Sequence, residues 1–445
     1  MASAAEQMAA SLNLGAFGKA TDLKKRIWFT LGALIVFRLG TYIPVPGVNA
    51  GVMAHLMTQN GGGILGMFNM FTGGALGRMT IFALAVMPYI SASIIFQLMT
   101  AAIPALETLK KEGDSGRQKI TQYTRYLTVL IAAVQAYGIS AGLSAMKTAQ
   151  GPAVIDPGVM FTFTCVVSLV GGTIFLMWLG EQITSRGIGN GVSLIIFSGI
   201  VANLPIAIAD ILQLGSTGAL STLFVVMFFI VGVGVFAFIV FMERAQRRIL
   251  VQYPKRQVGQ KIYGGDSTHM PLKINTSGVI PPIFASSLLL VPASIIGFSH
   301  GGPPWLELIA HQLSNGQLGY MVLFAGLIIF FSYFYTAVVF NPEETADNLK
   351  KHGGFIPGIR PGGNTAKYFD TVLTRLTTIG AAYLVVVCLL PDYAMSKYSL
   401  PFYFGGTSLL IIVSVTMDTV SQVQSHLLAH QYEGMIRKSR GKSRK

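Results

Sequence analysis

The sequence predicts an all-α, polytopic membrane protein of ten transmembrane helices, arranged as two five-helix halves of inverted orientation. Three observations carry that prediction. First, 52% of the 445 residues are hydrophobic and only 11% are charged, against about 25% charged in an average soluble domain; mean hydropathy is +0.58. Second, windows of about 19 residues pick out ten apolar runs, near 27 to 43, 79 to 106, 121 to 146, 158 to 180, 188 to 209, 219 to 242, 276 to 298, 318 to 340, 372 to 391 and 403 to 428. Third, with the N-terminus inside, every Lys and Arg except Arg38, Arg78, Lys147 and Lys397 falls on one side. The positive-inside bias makes that side the cytoplasm and puts both termini there. Dropping one span would move the later basic loops across the membrane, and splitting ten spans five and five inverts the second half.

In chain order, residues 1–26 read as a cytoplasmic segment. Lys24-Lys25-Arg26 with Ile27 to Leu39 mimics a signal peptide, yet Tyr42-Ile43-Pro44-Val45-Pro46 follows where a small-residue cleavage site would stand, so the run reads as a retained span. Residues 60–77, Asn60-Gly-Gly-Gly-Ile-Leu-Gly-Met-Phe-Asn-Met-Phe-Thr-Gly-Gly-Ala-Leu-Gly77, are apolar but too short to cross a bilayer, which takes about 20 apolar residues. Irregular backbone at membrane depth must be buried in protein or line a wet cavity. A packing turn and a movable stopper both fit this segment.

Met87-Pro88-Tyr89 is expected to interrupt the second span, and Pro281-Pro282 and Pro292 the seventh, because an internal proline removes a hydrogen bond and bends a helix. Both spans carry small or hydroxyl residues, Ser91-Ala92-Ser93 and Ala285-Ser286-Ser287, which allow close approach and can satisfy freed carbonyls. Arg186-Gly-Ile-Gly-Asn-Gly191 joins two apolar runs without a preceding strand, so it reads as a tight turn starting a helix, not a nucleotide loop. The loop 243–273 alternates basic and β-prone residues and predicts a projecting hairpin. The loop 341–372 holds Phe355-Ile-Pro-Gly-Ile-Arg360-Pro-Gly-Gly363, a frame that sets Arg360 on a rigid turn. With the tail 429–445 these loops make a broad basic face. Ribosomal RNA, anionic lipid and an acidic protein surface all fit it.

Chemistry is sparse. Arg38 and Asp418 are the clearest intramembrane charges; pairing, snorkelling and a wet cavity each account for them. Arg125, Glu181, Arg186 and Glu243 stand near span ends. There is no Walker motif and no His-Glu-x-x-His, Cys165 and Cys388 read as packing residues, and Asn275-Thr276-Ser277 is a chance sequon beside a cytoplasmic loop. No cofactor and no catalytic residue are expected. A channel, a solute transporter built on inverted repeats and an intramembrane hydrolase are the competing classes; the hydrolase lacks a nucleophile facing a base, and the transporter lacks paired midplane charges.

Long segments resemble the bacterial SecY family, the central subunits of protein-conducting channels. They are Phe71-Thr-Gly-Gly-Ala-Leu with Ile81-Phe-Ala-Leu-Ala-Val-Met-Pro-Tyr-Ile-Ser-Ala-Ser-Ile-Ile, Gly180-Glu-Gln-Ile-Thr-Ser-Arg-Gly-Ile-Gly-Asn-Gly191, Gly278-Val-Ile-Pro-Pro-Ile-Phe-Ala-Ser-Ser287, Pro357-Gly-Ile-Arg-Pro-Gly362 and Pro401-Phe-Tyr-Phe-Gly-Gly-Thr-Ser-Leu-Leu-Ile411. The resemblance implies an hourglass channel with halves at 27–209 and 210–428, a re-entrant plug and a lateral gate. The plug would include Ile64, Leu65, Met67, Phe68, Met70 and Phe71, and the pore ring Val86, Ile90, Val192, Ile196, Ile283 and Ile411. Ser91, Gln135, Val291 and Ile295 would line the gate; Arg360, with the hairpin tip at Lys255 and Arg256, would meet the SecA ATPase and the ribosome. SecE and SecG are the implied membrane partners, secretory and membrane-protein chains bearing signal sequences the cargo, and the bacterial inner membrane the location.

Overall fold

A computed structural model describes residues 21–49, 51–53, 69, 71–145, 147–148, 151–218, 221–253, 256–258, 261–263, 267–298, 317–398 and 405–442. Each of the ten expected runs contains a helix. They are α1 (Thr21–Gly40), α2 (Met87–Ala102), α4 (Asp114–Ala145), α5 (Val159–Arg186), α6 (Gly191–Ser216), α7 (Thr222–Arg244), α8 (Ile280–Phe298), α9 (Leu318–Val339), α11 (Gly363–Tyr398) and α12 (Gly406–Lys442); the short α3 (Pro104–Lys111) and α10 (Pro342–Lys351) lie between them. Among the described residues seven of these are long and apolar enough to span, and α2 with α3 makes an eighth as a bent pair. Of the other two, α1 carries Lys24, Lys25, Arg26 and Arg38, and α8 is apolar over Ile280–Leu289, the part of it whose side chains are described.

Two expected bends are corrected. Pro88 does not interrupt its span but stands in the first turn of α2, and Pro281 and Pro282 follow Ile280 at the very start of α8. A first-turn N–H has no intrahelical partner, so proline costs nothing there and its fixed φ favours helix initiation. The real break comes at Ile103-Pro104, where α2 and α3 diverge by 100°. Ile103 is extended (φ −109°, ψ 114°), as the residue before proline prefers. At 16 residues α2 rises only about 24 Å. Residues 79–86, expected as helix, instead form a buried chain of turns, with Met79 and Ala85 at positive φ and Met79, Thr80, Phe82, Ala83, Leu84, Ala85 and Val86 all at 3% exposure or less. Protein, not lipid, surrounds this irregular backbone.

The packing of the first five spanning helices recurs in the second five. In the first half α2 packs on α4, α4 on α5, α5 on α6, and α1 on α6; in the second α8 packs on α9, α9 on α11, α11 on α12, and α7 on α12. Each pair matches its counterpart five spans later. This recurrence is what an inverted repeat requires, although the halves share no evident sequence identity. Outward faces are apolar, as on α7, where Leu223, Val233 and Phe241 are about 70% exposed, the signature of a lipid-facing helix.

Several helices run past the expected spans into the basic loops and tail. α11 begins at Gly363, inside the loop 341–372, and α12 continues to Lys442 through much of the basic tail. The hairpin is present: β1 (Gln246–Gln252) pairs antiparallel with β4 (Ser267–Lys273), and farther out β2 (Arg256–Val258) pairs with β3 (Lys261–Tyr263). Val258 opposes Lys261 in the distal ladder, so Arg256, expected at the tip, stands on an arm of that ladder two residues before the last pair; Lys255 lies outside the described residues. Ile249 and Val251 point inward between exposed neighbours, the period of two of a half-buried strand.

Candidate functional site

The six residues expected to form the pore ring, at the waist of the channel that the resemblance implies, lie at four helix starts. Val86 precedes α2 and Ile90 lies in its first turn; Val192 and Ile196 open α6, Ile283 opens α8 and Ile411 lies early in α12. The sequence Arg186 to Gly191 makes the tight turn expected of it. Asn190 caps α6 by accepting from Val192 N (3.1 Å) and Ser193 N (3.4 Å), and a side chain at Gly191 would strike the backbone of Gly180. All six residues belong to one apolar cluster, in which Val86, Ile90, Ile196 and Ile411 are buried and Val192 and Ile283 partly buried. Phe71, from the end of the expected plug, is 5% exposed in the same cluster. Ile64, Leu65, Met67, Phe68 and Met70 lie outside the described residues.

The waist contains no charge. Arg38, one of the two intramembrane candidates, donates to Gly73 O (2.8 Å) and to Tyr42 Oη (3.1 Å), while Arg78 stacks over the other approach to the Tyr42 ring. Asp418 is exposed on α12. Arg125 and Glu181, at span ends, form a two-point ion pair joining α4 to α5 at 2.8 and 2.7 Å. Among the described residues no group of His, Cys, Asp and Glu could hold a metal.

Beside the waist, α8 packs on α2 and α4 and so bridges the halves. Ser91 on α2 and Gln135 on α4 are half-buried at this level of the chain. Val291 and Ile295 lie on α8, with side chains outside those described. The hydroxyls of Ser286 and Ser287 donate to Ile283 O (2.9 and 2.8 Å), a carbonyl one turn back, and Ser287 Oγ also reaches Met87 Sδ across the seam at 3.9 Å. Met87 and Ser287 are thus a cross-seam pair. The run Ala285-Ser286-Ser287 signalled close packing, but nothing in it named Met87 as the partner.

The two basic loops form one body. Gln252 and Phe355 exchange backbone hydrogen bonds, both 2.9 Å. Ile249 and Leu272 of the hairpin share a small core with Ala346, Ile356, Phe369 and Leu376. Arg360 is exposed on its turn, where Thr365 Oγ1 donates to its carbonyl (3.1 Å) and Ile359 N to Ile356 O (3.1 Å). Lys255 lies outside the described residues, and Arg256 is placed by its strand alone. Arg244, Arg247, Arg248 and Lys273 are exposed at the base of the hairpin; alternation with apolar residues was the available signal for them.

The fold is that of a polytopic helical membrane protein, and the six residues expected at its constriction are all apolar and belong to its core. Comparison with known proteins makes this specific. The SecY family model matches residues 80–420. The chain is 55% identical over 417 residues to the protein translocase subunit SecY of Rickettsia conorii (strain ATCC VR-613 / Malish 7), covering 94% of this chain and 96% of the relative. It is 56% identical over 420 residues to the same subunit of Escherichia coli (strain K12), covering 94% and 95%. Its fold matches a solved structure described as "The structure of a protein conducting channel" with a TM-score of 0.67 at 18% identity, covering 92% of this chain and 93% of that one. "Sec61 in the Canine ribosome-channel complex from the endoplasmic reticulum" matches with a TM-score of 0.64 at 16% identity and the same coverage. The chain belongs to the SecY family. It is a protein translocase subunit, a channel component and not an enzyme, and the solute-transporter alternative is set aside.

Proposed function

We propose that this chain is the central channel subunit through which unfolded secretory chains cross the bacterial inner membrane, and from which transmembrane segments pass sideways into lipid between α2 with α4 and α8 with α9. The observation that carries this reading is that Val86, Ile90, Val192, Ile196, Ile283 and Ile411, all apolar and at four helix starts from both halves, pack in one core cluster. An apolar constriction dewets and resists ions at rest, and it offers each passing side chain a similar weak contact. Residues 60–77 serve as the plug that rests on this ring. Both termini are cytoplasmic, with 1–26 and 429–445 flanking the halves at 27–209 and 210–428.

Arg360 and the hairpin form the docking platform for the SecA ATPase and the ribosome; its exposed arginines also suit anionic lipid. SecE and SecG complete the assembly. The pore is tested by crosslinking a stalled, signal-bearing chain to cysteines placed at Ile90, Ile283 and Ser91. Adducts at the first two with a signal-segment adduct at Ser91 are expected, and failure at every position would refute pore and gate together. Arg360→Glu is expected to stop SecA-driven export into vesicles while insertion and assembly stay normal; ordinary export by this variant would remove Arg360 from the platform.

A further inference from the structure

At the root of the hairpin, three buried polar side chains sit between α7, the hairpin base and α8. Glu243 is 8% exposed, Asn275 2% and Ser277 4%. Asn275 Nδ2 donates to Glu243 Oε1 at 2.7 Å and to Gly278 O at 3.1 Å, and Ser277 Oγ donates to Asn275 Oδ1 at 3.2 Å. Ile274 N closes the hairpin on Ala245 O at 3.0 Å. One amide therefore ties the last turn of α7 to the turn that launches α8. A carboxylate at a span end can normally snorkel to water, so its burial is tolerable only because this amide meets it.

The joint is also backed from the second loop. Gly380 of α11 lies so close that a side-chain carbon there would come within 3.1 Å of Ile274 O and 3.5 Å of Asn275 Cα. α11 carries Phe369 and Leu376, which belong to the shared core of the two loops. Both loops thus bear on Asn275 from opposite sides. Beyond it, α8 carries Ile283 of the waist and Ser287 of the cross-seam pair. We propose that Glu243 and Asn275 are positioning residues, the joint through which a load on the cytoplasmic body moves α8; the proposal rests on reading that body as the docking platform.

The test uses the complete translocase in vesicles with the motor ATPase and a signal-bearing substrate. Asn275→Asp keeps the size and the acceptor for Ser277 but loses both donated hydrogen bonds. It is expected to lower the maximal translocation rate about tenfold, with the half-saturating motor concentration unchanged. Adding Glu243→Gln, whose amide can donate to a carboxylate at 275, is expected to recover most of that loss. A parent-like rate for Asn275→Asp, a half-saturating concentration that rises in step with the loss, or no recovery in the double variant would each overturn the joint. If Asn275→Asp fails to accumulate, Ser277→Ala decides: a rate loss of about threefold at unchanged half-saturation supports the joint, and parent behaviour overturns it. Arg360→Glu is measured alongside. Normal motor binding and translocation by that variant would defeat the docking reading, whereas loss there with parent-like Asn275→Asp defeats the joint alone.

Discussion

Where α8 lies on α2 and α4, the halves meet, among the described residues, through apolar side chains and one soft polar contact, Ser287 Oγ to Met87 Sδ at 3.9 Å. Where α6 and α1 lie on α12, they meet differently. Gly189 N donates to Gln422 Oε1 at 2.8 Å, Leu23 and Ile188 share a cluster with Val423 and Leu427, and the turn before α6 is held to α1 by Arg26 on Gly187 O (3.3 Å) and by Ile188 N on Thr30 Oγ1 (3.1 Å). Separating the first seam leaves no backbone group unpaired, because the serine hydroxyls keep their own-helix acceptor. Separating the second strands the backbone N–H of Gly189, at a desolvation cost of about 1–3 kcal/mol. On the proposed reading the first seam is the one that opens and the second the one that hinges.

Locking the seams is the strongest way to break this comparison. Met87→Cys with Ser287→Cys, joined by a short thiol crosslinker, is expected to abolish translocation until the link is cleaved, while Ile188→Cys joined to Val423→Cys leaves it near the parent rate. Equal inhibition by both links, measured by substrate protection in vesicles, would show that the seams are mechanically alike. Next in size, Ile90→Ser with Ile196→Ser wets the waist between the seams and is expected to make membranes leak ions; unchanged conductance in planar bilayers would sink the ring. Gln422→Ala is expected to cost about 1–3 kcal/mol of stability, seen as a lowered thermal midpoint in detergent. Ser287→Ala is expected to cost less than about 0.5 kcal/mol, because the lost bond is a bond back onto its own helix. A larger loss for Ser287→Ala than for Gln422→Ala would reverse the assignment of hinge and opening.

Much of this architecture was legible because the bilayer simplifies the reading. Apolar length marks each span, and the hairpin followed from alternation between Gln246 and Lys273. The Asn190 cap and the Arg360 turn rest on residues whose local preferences do not depend on distant partners. The misreadings share one cause. A proline inside an apolar run bends a helix or begins one, and Pro88, Pro281 and Pro282 begin theirs because buried turns precede them. Likewise Asn275, dismissible as a chance sequon, is a buried structural amide whose partner lies 32 positions away.

By itself the sequence determined the membrane setting, the ten helical runs and the hairpin between Gln246 and Lys273, because each depends on local composition in a known solvent. Tertiary structure alone decided which helix starts meet, that the two cytoplasmic loops share one core, that Arg38 reaches Gly73 and Tyr42, and that one seam is soft while the other is bonded. Those are long-range contacts. No local preference of Gln422 or Ser287 encodes the residue it touches, so only the packed fold, where every buried polar group must find its partner, could reveal them.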